Sequence, residues 1–142
     1  MNEATQTLQR TLVEPEPDLD TQWWWDALAE GRLELPRCRA CGRTFFPPQP
    51  SCPHCGSGDW ERVRASGRGQ VYSWVVIHTA LDPRFAGEVP YAILAVELEE
   101  GVRLFGRWKG TAGEIDAGQG VRAYIYRVGD TPLLGFEPAL GS

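Results

Sequence analysis

All four cysteines of the 142-residue chain fall in two matched pairs, Cys38-Arg-Ala-Cys41-Gly and Cys52-Pro-His-Cys55-Gly. Each Cys-x-x-Cys loop can aim two thiolate sulfurs at one ion, and Gly42 and Gly56 directly after the pairs permit the positive φ that such knuckles need. Two loops complete a four-coordinate shell. A complete shell leaves no position for water or substrate, so the metal is expected to hold structure and not to hydrolyse anything. The ten residues between the pairs suit two β-knuckles. Zinc is the expected ion, and iron in a rubredoxin-like tetrathiolate is the alternative, because sulfur ligation alone does not separate the two. His54, inside the second knuckle, is expected to be an exposed loop residue and not a fifth ligand.

Two disulfides or a redox dithiol would use the same residue type. Residues 1–20 are polar and acidic and lack the apolar centre of an export signal. No run approaches the roughly 18 apolar residues of a membrane span. A cytoplasmic location is therefore expected, and thiols kept reduced there favour metal over disulfides. A redox dithiol needs one Cys-x-x-Cys, whereas the duplicated spacing is the signature of a metal site.

Charge is distributed unevenly along the chain. Residues 1–30 hold one Arg against seven acids, residues 31–70 seven Arg against three acids, and residues 71–142 six bases against nine acids. The basic middle coincides with the cysteine segment, and 13 of the 14 basic residues are Arg. Arginine suits bidentate contact with phosphate or carboxylate. An ordinary solvated surface is the competing reading.

The elements that must position these groups follow in order. Residues 1–19 carry Pro15 and Pro17 among acids and read as a flexible arm. A helix is expected over 20–31, capped by Asp20 or Thr21, favoured by Asp26 early in it and stopped by Gly31. Trp23, Trp24 and Trp25 span about 200° of that helix, so one face does not bury all three. At least one is expected to point to a partner or ligand, unless the helix lies in a groove that covers them. Residues 32–68 form the metal ribbon, with Phe45, Phe46 and a proline run between the knuckles. Residues 69–142 read as β: strands over 71–79, 91–98, 102–108, 121–128 and 133–137, with a loop over 81–90 and a long connection over 110–120. On the first strand, Tyr72, Trp74, Val76 and His78 are expected on one face, and Val71, Ser73, Val75 and Ile77 on the other. The fold class is mainly β: an N-terminal helix, a ribbon, and a five-stranded barrel of the OB type, with an SH3-like barrel left open by strand count alone.

This order of features resembles a known family. A Trp-rich helix ending in Ala-Glu-Gly-Arg-Leu, then Leu-Pro-Arg-Cys-Arg-Ala-Cys-Gly, Cys-Pro-His-Cys-Gly, Ser-Gly-Arg-Gly-Gln-Val-Tyr-Ser-Trp, Val-Pro-Tyr-Ala-Ile-Leu-Ala-Val-Glu-Leu and Gly-Val-Arg-Leu-Phe-Gly-Arg is similar to the DUF35 proteins, over about residues 18–137. The resemblance implies a rubredoxin-like zinc ribbon and an OB-fold domain, with Cys38, Cys41, Cys52 and Cys55 as ligands of a structural Zn2+. It also implies an accessory role beside thiolase-superfamily enzymes of acyl-CoA metabolism, including the thiolase-like aldolase of steroid side-chain degradation. Proteins of this kind stand alone or are fused to hydratase-like modules.

The residues themselves argue against catalysis by the chain alone. All four cysteines are assigned to metal, and His78 has no thiol beside it to make a nucleophile and base. Tyr72, Tyr91, Tyr124 and Tyr126 alternate along strands as core or rim residues do. The favoured reading is a subunit of an acyl-CoA aldolase or thiolase-type complex that helps bind acyl-CoA or completes the partner's active site. Arg37, Arg39, Arg43 and Arg68 are then expected to meet CoA phosphates, and Trp23, Trp24 and Trp25 the partner. The alternative is a single-stranded nucleic-acid-binding module, against which stand the net charge of −5 and the acidic barrel segment.

Overall fold

The structure, a computed structural model, describes residues 18–139. Most of the expected arm, residues 1–17, lies outside the described residues. Helix α1 (Gln22–Ala29) is followed by β1 (Glu34–Cys38), β2 (Trp60–Arg64), β3 (Arg68–Ile77), a 3-10 turn (Pro83–Phe85), β4 (Tyr91–Leu98), β5 (Arg103–Trp108), β6 (Gly120–Val128) and β7 (Thr131–Pro138). The chain is mainly β, as expected. No helix among the described residues is long and apolar enough to cross a membrane.

Local chemistry explains where α1 begins and ends. Its N-terminal residue is Thr21, whose side chain makes no cap bond to the helix. Instead Asp18 organises the preceding turn: its carboxylate accepts from the Thr21 backbone N–H at 2.9 Å and from the Thr21 hydroxyl at 2.9 Å. Asp26 sits beyond the first turn and accepts a hydrogen bond from Gln22 at 2.8 Å. The expected stop at Gly31 holds: Gly31 has φ 81°, its N–H donates to Leu28 O at 2.9 Å, and the Arg32 N–H donates to Ala27 O at 2.8 Å. This is a Schellman motif, which satisfies carbonyls the last turn leaves open.

β1 and β2 form a two-stranded antiparallel ribbon with Glu34 opposite Arg64 and Cys38 opposite Trp60. Strand β2 was not foreseen, because Trp-Glu-Arg-Val-Arg is only weakly alternating and too charged to read as core. The Ala65 N–H donates to Leu33 O at 2.9 Å, so the ribbon stays paired to the point where the chain leaves it. Gly67 then turns the backbone at φ 78°, and its carbonyl accepts from Ala123 N–H at 2.7 Å. Three residues join ribbon to barrel, and both ends of the joint are hydrogen-bonded.

The barrel closes in the order β3-β4-β5-β7-β6, the OB arrangement and not the SH3-like one. Three antiparallel neighbours carry long ladders, whereas β3–β6 pairs over Arg68–Gln70 and the parallel β5–β7 contact over Arg107 and Trp108 only. A bulge between Val71 and Ser73 shifts the β3 register. It breaks the simple alternation expected for this strand: Val71 faces the core, while Tyr72, Ser73, Trp74 and Val75 are all exposed to some degree.

One apolar cluster runs through α1, the start of the ribbon and the barrel, including Trp24, Leu28, Leu35, Val96, Leu104 and Phe136. A second, small cluster consists of Cys38, Phe45 and Cys52 with Trp60 against it. The helix therefore packs on both units. Trp24 is 8 % exposed and lies 5.5 Å from Phe46 by ring centroids, and Trp23 lies 5.6 Å from Trp60 of the ribbon.

Candidate metal centre and barrel cleft

The two knuckles are built alike. In the first, the Cys38 N–H donates to Arg43 O at 2.8 Å and the Gly42 N–H to Cys38 O at 2.9 Å; in the second, the Cys52 N–H donates to Ser57 O and the Gly56 N–H to Cys52 O, both at 2.8 Å. Gly42 and Gly56 take φ 79° and 80°. That left-handed turn lets each loop reverse within four residues and brings its sulfurs to one side.

The four Sγ atoms all lie within 4.8 Å of one another, with Cys38–Cys55 at 3.5 Å and Cys41–Cys52 at 3.7 Å. A tetrahedral ion with metal–sulfur bonds of about 2.3 Å needs sulfur–sulfur edges of about 3.8 Å, so the donor set fits a tetrathiolate metal. Backbone N–H groups of Cys41 and His54 point at the sulfurs of Cys38 and Cys52, each at 3.4 Å. The Cys41 N–H, ahead of the neighbouring thiols, lowers the Cys38 thiol to about 7. At Cys55 the Ser57 backbone N–H pulls the other way, but crowding by the other thiols together with burial pushes that thiol up to about 11. Four thiols this close cannot ionise independently, and a cation among them resolves the conflict. His54 is exposed and sits 3.4 Å from Arg43 through Nδ1, turned to a side chain and not to the sulfurs.

The four arginines expected to meet phosphate have different partners in the structure. Arg37 meets Glu61 at 2.6 Å, and Arg39 meets Glu61 at 3.0 Å and Asp59 at 3.1 Å. Arg39 first, then Arg37, holds the Glu61 carboxyl below its ordinary range. Arg43 lies against His54, and Arg68 stands at the start of β3 opposite Arg122. The three indoles are all packed against the main cluster, Trp24 buried and Trp23 and Trp25 half-buried. Arg62 stacks over Trp23 with its guanidinium carbon 5.6 Å from the ring centroid. The Nε1–H groups of Trp23 and Trp24 are buried without a hydrogen-bond partner.

A cationic and aromatic cleft lies elsewhere, on the barrel. Its volume is about 590 Å³, and Arg84, Phe85, Arg107, Tyr124, Tyr126 and Arg127 line much of it. The loop between β3 and β4 supplies Arg84 and Phe85; the outward rows of β5 and β6 supply the rest. Gly135 makes room for the floor, since a Cβ there would stand 2.7 Å from the Tyr124 ring. Burial raises both Tyr124 and Tyr126 above the ordinary phenol value. Arg107 pairs with Glu88 at 2.9 Å and lies over Tyr91, and Arg84 pairs with Asp82. Arg127 differs: it donates to the carbonyls of Ala29 at 2.8 Å and Asp130 at 3.2 Å, and no carboxylate lies within ion-pair distance of it among the described residues. The expected anion contacts lie instead in the ribbon and at the start of β3, where the net charge of the sequence is positive. The sequence trace of this cleft is Tyr124-Ile-Tyr126-Arg127, two tyrosines on one face of a strand followed by an arginine.

Residues 25–61 match the family described as ChsH2, rubredoxin-like zinc ribbon domain, and residues 62–125 match ChsH2, C-terminal OB-fold domain. A chain solved as "Ltp2-ChsH2(DUF35) aldolase" is 41 % identical, with a TM-score of 0.80, covering 89 % of this chain and 99 % of that one. The 3-oxo-4,17-pregnadiene-20-carboxyl-CoA hydratase alpha subunit of Mycobacterium tuberculosis is 36 % identical over 129 residues, 89 % of this chain and 40 % of that protein. The benzoylsuccinyl-CoA thiolase subunit BbsA of Thauera aromatica is 29 % identical over 123 residues, 79 % of this chain and 81 % of that protein. The chain spans half or less of the length of several curated relatives it matches.

Proposed function

The chain belongs to the DUF35 family of ChsH2-type zinc-ribbon and OB-fold proteins, and on that footing we propose that it is an accessory subunit of a thiolase-superfamily enzyme acting on acyl-CoA. The observation that carries this reading is the likeness, over nearly the whole described chain, to the ChsH2 chain of a two-component aldolase. A relative named as a subunit of a benzoylsuccinyl-CoA thiolase supports the same class of partner. A relative named as a pregnadiene carboxyl-CoA hydratase subunit supports an acyl group of steroid size, and the chain solved in an aldolase supports a thiolase-like aldolase as the partner.

In this reading Cys38, Cys41, Cys52 and Cys55 hold Zn2+, which supplies structure and no open coordination position. The metal fixes the ribbon, the ribbon carries Trp60 and Phe46 against α1, and α1 joins the barrel. The partner enzyme performs the chemistry, and this chain helps bind the acyl-CoA or complete the active site from a protein interface. Arg37, Arg39, Arg43 and Arg68 remain proposed phosphate contacts, the first two at the expense of their pairs with Glu61 and Asp59. Trp23 and Trp25, half-buried, remain proposed interface residues with Trp24 beneath them.

The test is reconstitution with a purified thiolase-like enzyme, followed by light scattering on the eluted complex and by acyl-CoA turnover. A hetero-oligomer with altered turnover is expected. A chain that neither co-elutes with such an enzyme nor changes its rate ends this reading. Metal analysis of the purified chain separates zinc from iron, which would also show visible thiolate charge-transfer bands.

A further inference from the structure

Strand β3 has a full-length neighbour on one side only. Against β4 it pairs from Gly69 to Ile77, but against β6 over Arg68–Gln70, and the last bonds on that side join Val71 to Gly118 and Gln119. From Tyr72 to Ile77, no backbone hydrogen bond reaches β3 from the side away from β4 among the described residues. Barrel closure normally removes sheet edges, so this half-strand is an edge that closure leaves open. It is also bare: Tyr72 is 52 %, Trp74 37 % and Val75 60 % exposed. Open edges are ordinarily blunted by charges, by proline or by a bulge that twists the strand away. Strand β2, at the edge of the two-stranded ribbon, follows that rule with Glu61, Arg62 and Arg64. In contrast, Tyr72-Ser-Trp-Val-Val-Ile77 holds no charge and no proline. Its bulge lies at the start, between Val71 and Ser73, and leaves Ser73–Ile77 regular.

We propose that this edge pairs, antiparallel and across a twofold axis, with the same edge of a second copy of this chain. A row of open backbone N–H and C=O groups calls for another extended backbone, not for a helix or a small ligand. The charge pattern selects the second copy. With a net charge of −5, two copies repel over much of their surface, and Ser73–Ile77 is a stretch where they meet without setting like charges opposite each other. Val75 is the centre of that regular stretch. An axis through it sets Val75 against Val75, Trp74 against Val76 and Ser73 against Ile77, each pair on one face of the extended sheet. Aromatic and β-branched residues suit each other in such cross-strand pairs. On β4 the residue paired with Val75 is the half-buried Ile93, so apolar surface continues inward from the new seam. One contact uses both edges, so assembly stops at two. Five paired residues span about 17 Å, a smaller contact than the standard interface of about 1,600 Å². The dimer is therefore a reversible one, half formed at roughly 0.1 mM. This pairing is independent of the accessory role proposed above.

Sedimentation equilibrium of the metal-loaded full chain, from about 10 µM to about 1 mM, is expected to show monomer and dimer in exchange. Val75→Lys and Val75→Glu each place two like charges on the axis and should weaken self-association roughly tenfold or more. Val75 is exposed, and metal content with circular dichroism checks that each variant folds. Mixing the two variants sets Lys against Glu and should restore a dimer made of one copy of each, a result that dimerisation through another face does not give. A wild-type chain that stays monomeric throughout, variants that dimerise as the wild type does, or a mixture that associates no better than its components overturns the pairing. Growth beyond two copies overturns the closed twofold. Hydrogen exchange on the same samples follows the amides of Ser73–Ile77, which should gain protection as concentration rises. Protection that appears only with the thiolase-like enzyme, in a chain monomeric alone, gives the edge to that enzyme and overturns the second copy.

Discussion

Ribbon and barrel are joined by three residues and stabilised by different physics. The barrel belongs to a cluster of sixteen buried apolar residues that it shares with α1 and the first turn of the ribbon. The ribbon's own cluster has three buried members, and two of them, Cys38 and Cys52, are candidate metal ligands. Apolar burial at about 25 cal/mol per Å² suffices for the first and not for the second. Folding of the ribbon is therefore expected to be coupled to metal binding, and that of the barrel to rest on its own contacts. The shared helix transmits order from one to the other, since Trp23 rests on Trp60 of the ribbon while Trp24 is part of the main cluster.

Breaking the metal side should give the largest effect. Cys38→Ser is expected to abolish stoichiometric metal and the ribbon's order, a loss on the order of 10 kcal/mol of binding free energy, while barrel amides such as Val96 and Leu104 keep their native shifts. Metal analysis with two-dimensional NMR checks both halves, and a variant that keeps full metal would sink the four-ligand assignment. Phe136→Ala does the opposite. It removes a fully buried ring from the barrel and should cost about 3–5 kcal/mol in denaturant unfolding, with metal content unchanged in the folded protein.

Gly56→Ala probes the knuckle more gently. Nothing stands within 4 Å of the added Cβ, so the cost comes from the backbone at φ 80° alone, about 1–2 kcal/mol. Chelator competition should show metal held roughly tenfold less tightly, and Ala at the open Gly113 serves as the neutral control. The smallest effect belongs to the barrel surface. Arg122, ahead of Lys109, lowers the Glu137 carboxyl below its ordinary value. A carboxyl lowered on folding adds stability above its unfolded value and loses it as pH falls through the folded one. Glu137→Gln should therefore cost a few tenths of a kcal/mol near neutrality and nothing once the carboxylate is protonated, a difference that parallel urea titrations would resolve.

What the sequence revealed was local chemistry. Cys38, Cys41, Cys52 and Cys55 with their glycines, and Gly31 at the helix end, act within a few residues of themselves, so spacing was enough to place them. Strands over 91–98 and 121–128 were legible from alternation and β-branching. What was not legible has two sources: partners distant in sequence and local departures from a regular pattern. The pairs of Arg37 and Arg39 with Glu61 and Asp59 form across the ribbon, between residues 20 or more positions apart, and no spacing announces them. Asp18 organises the helix start by folding back on Thr21, a contact that a preference for the nearest capping residue does not favour. The bulge at Val71–Ser73 reverses an alternation that reads plainly in the sequence. Arg127 holds the end of a helix 98 positions before it, which no local pattern records.

The barrel's two closing contacts are far shorter than its hairpin ladders: three residue pairs between β3 and β6, and two between β5 and β7. The hairpins β4–β5 and β6–β7 form from neighbouring sequence, whereas β5–β7 joins segments separated by a long connection and must wait for loop closure. With two residue pairs to hold it, that seam is expected to open before the hairpin ladders. In hydrogen exchange, the Lys109 N–H, which donates to Phe136 O across the seam at 2.9 Å, should lose its proton well before amides inside the β6–β7 ladder. Opening there would expose the wall beside α1, so the barrel's thinnest ladder is where it is expected to breathe most readily.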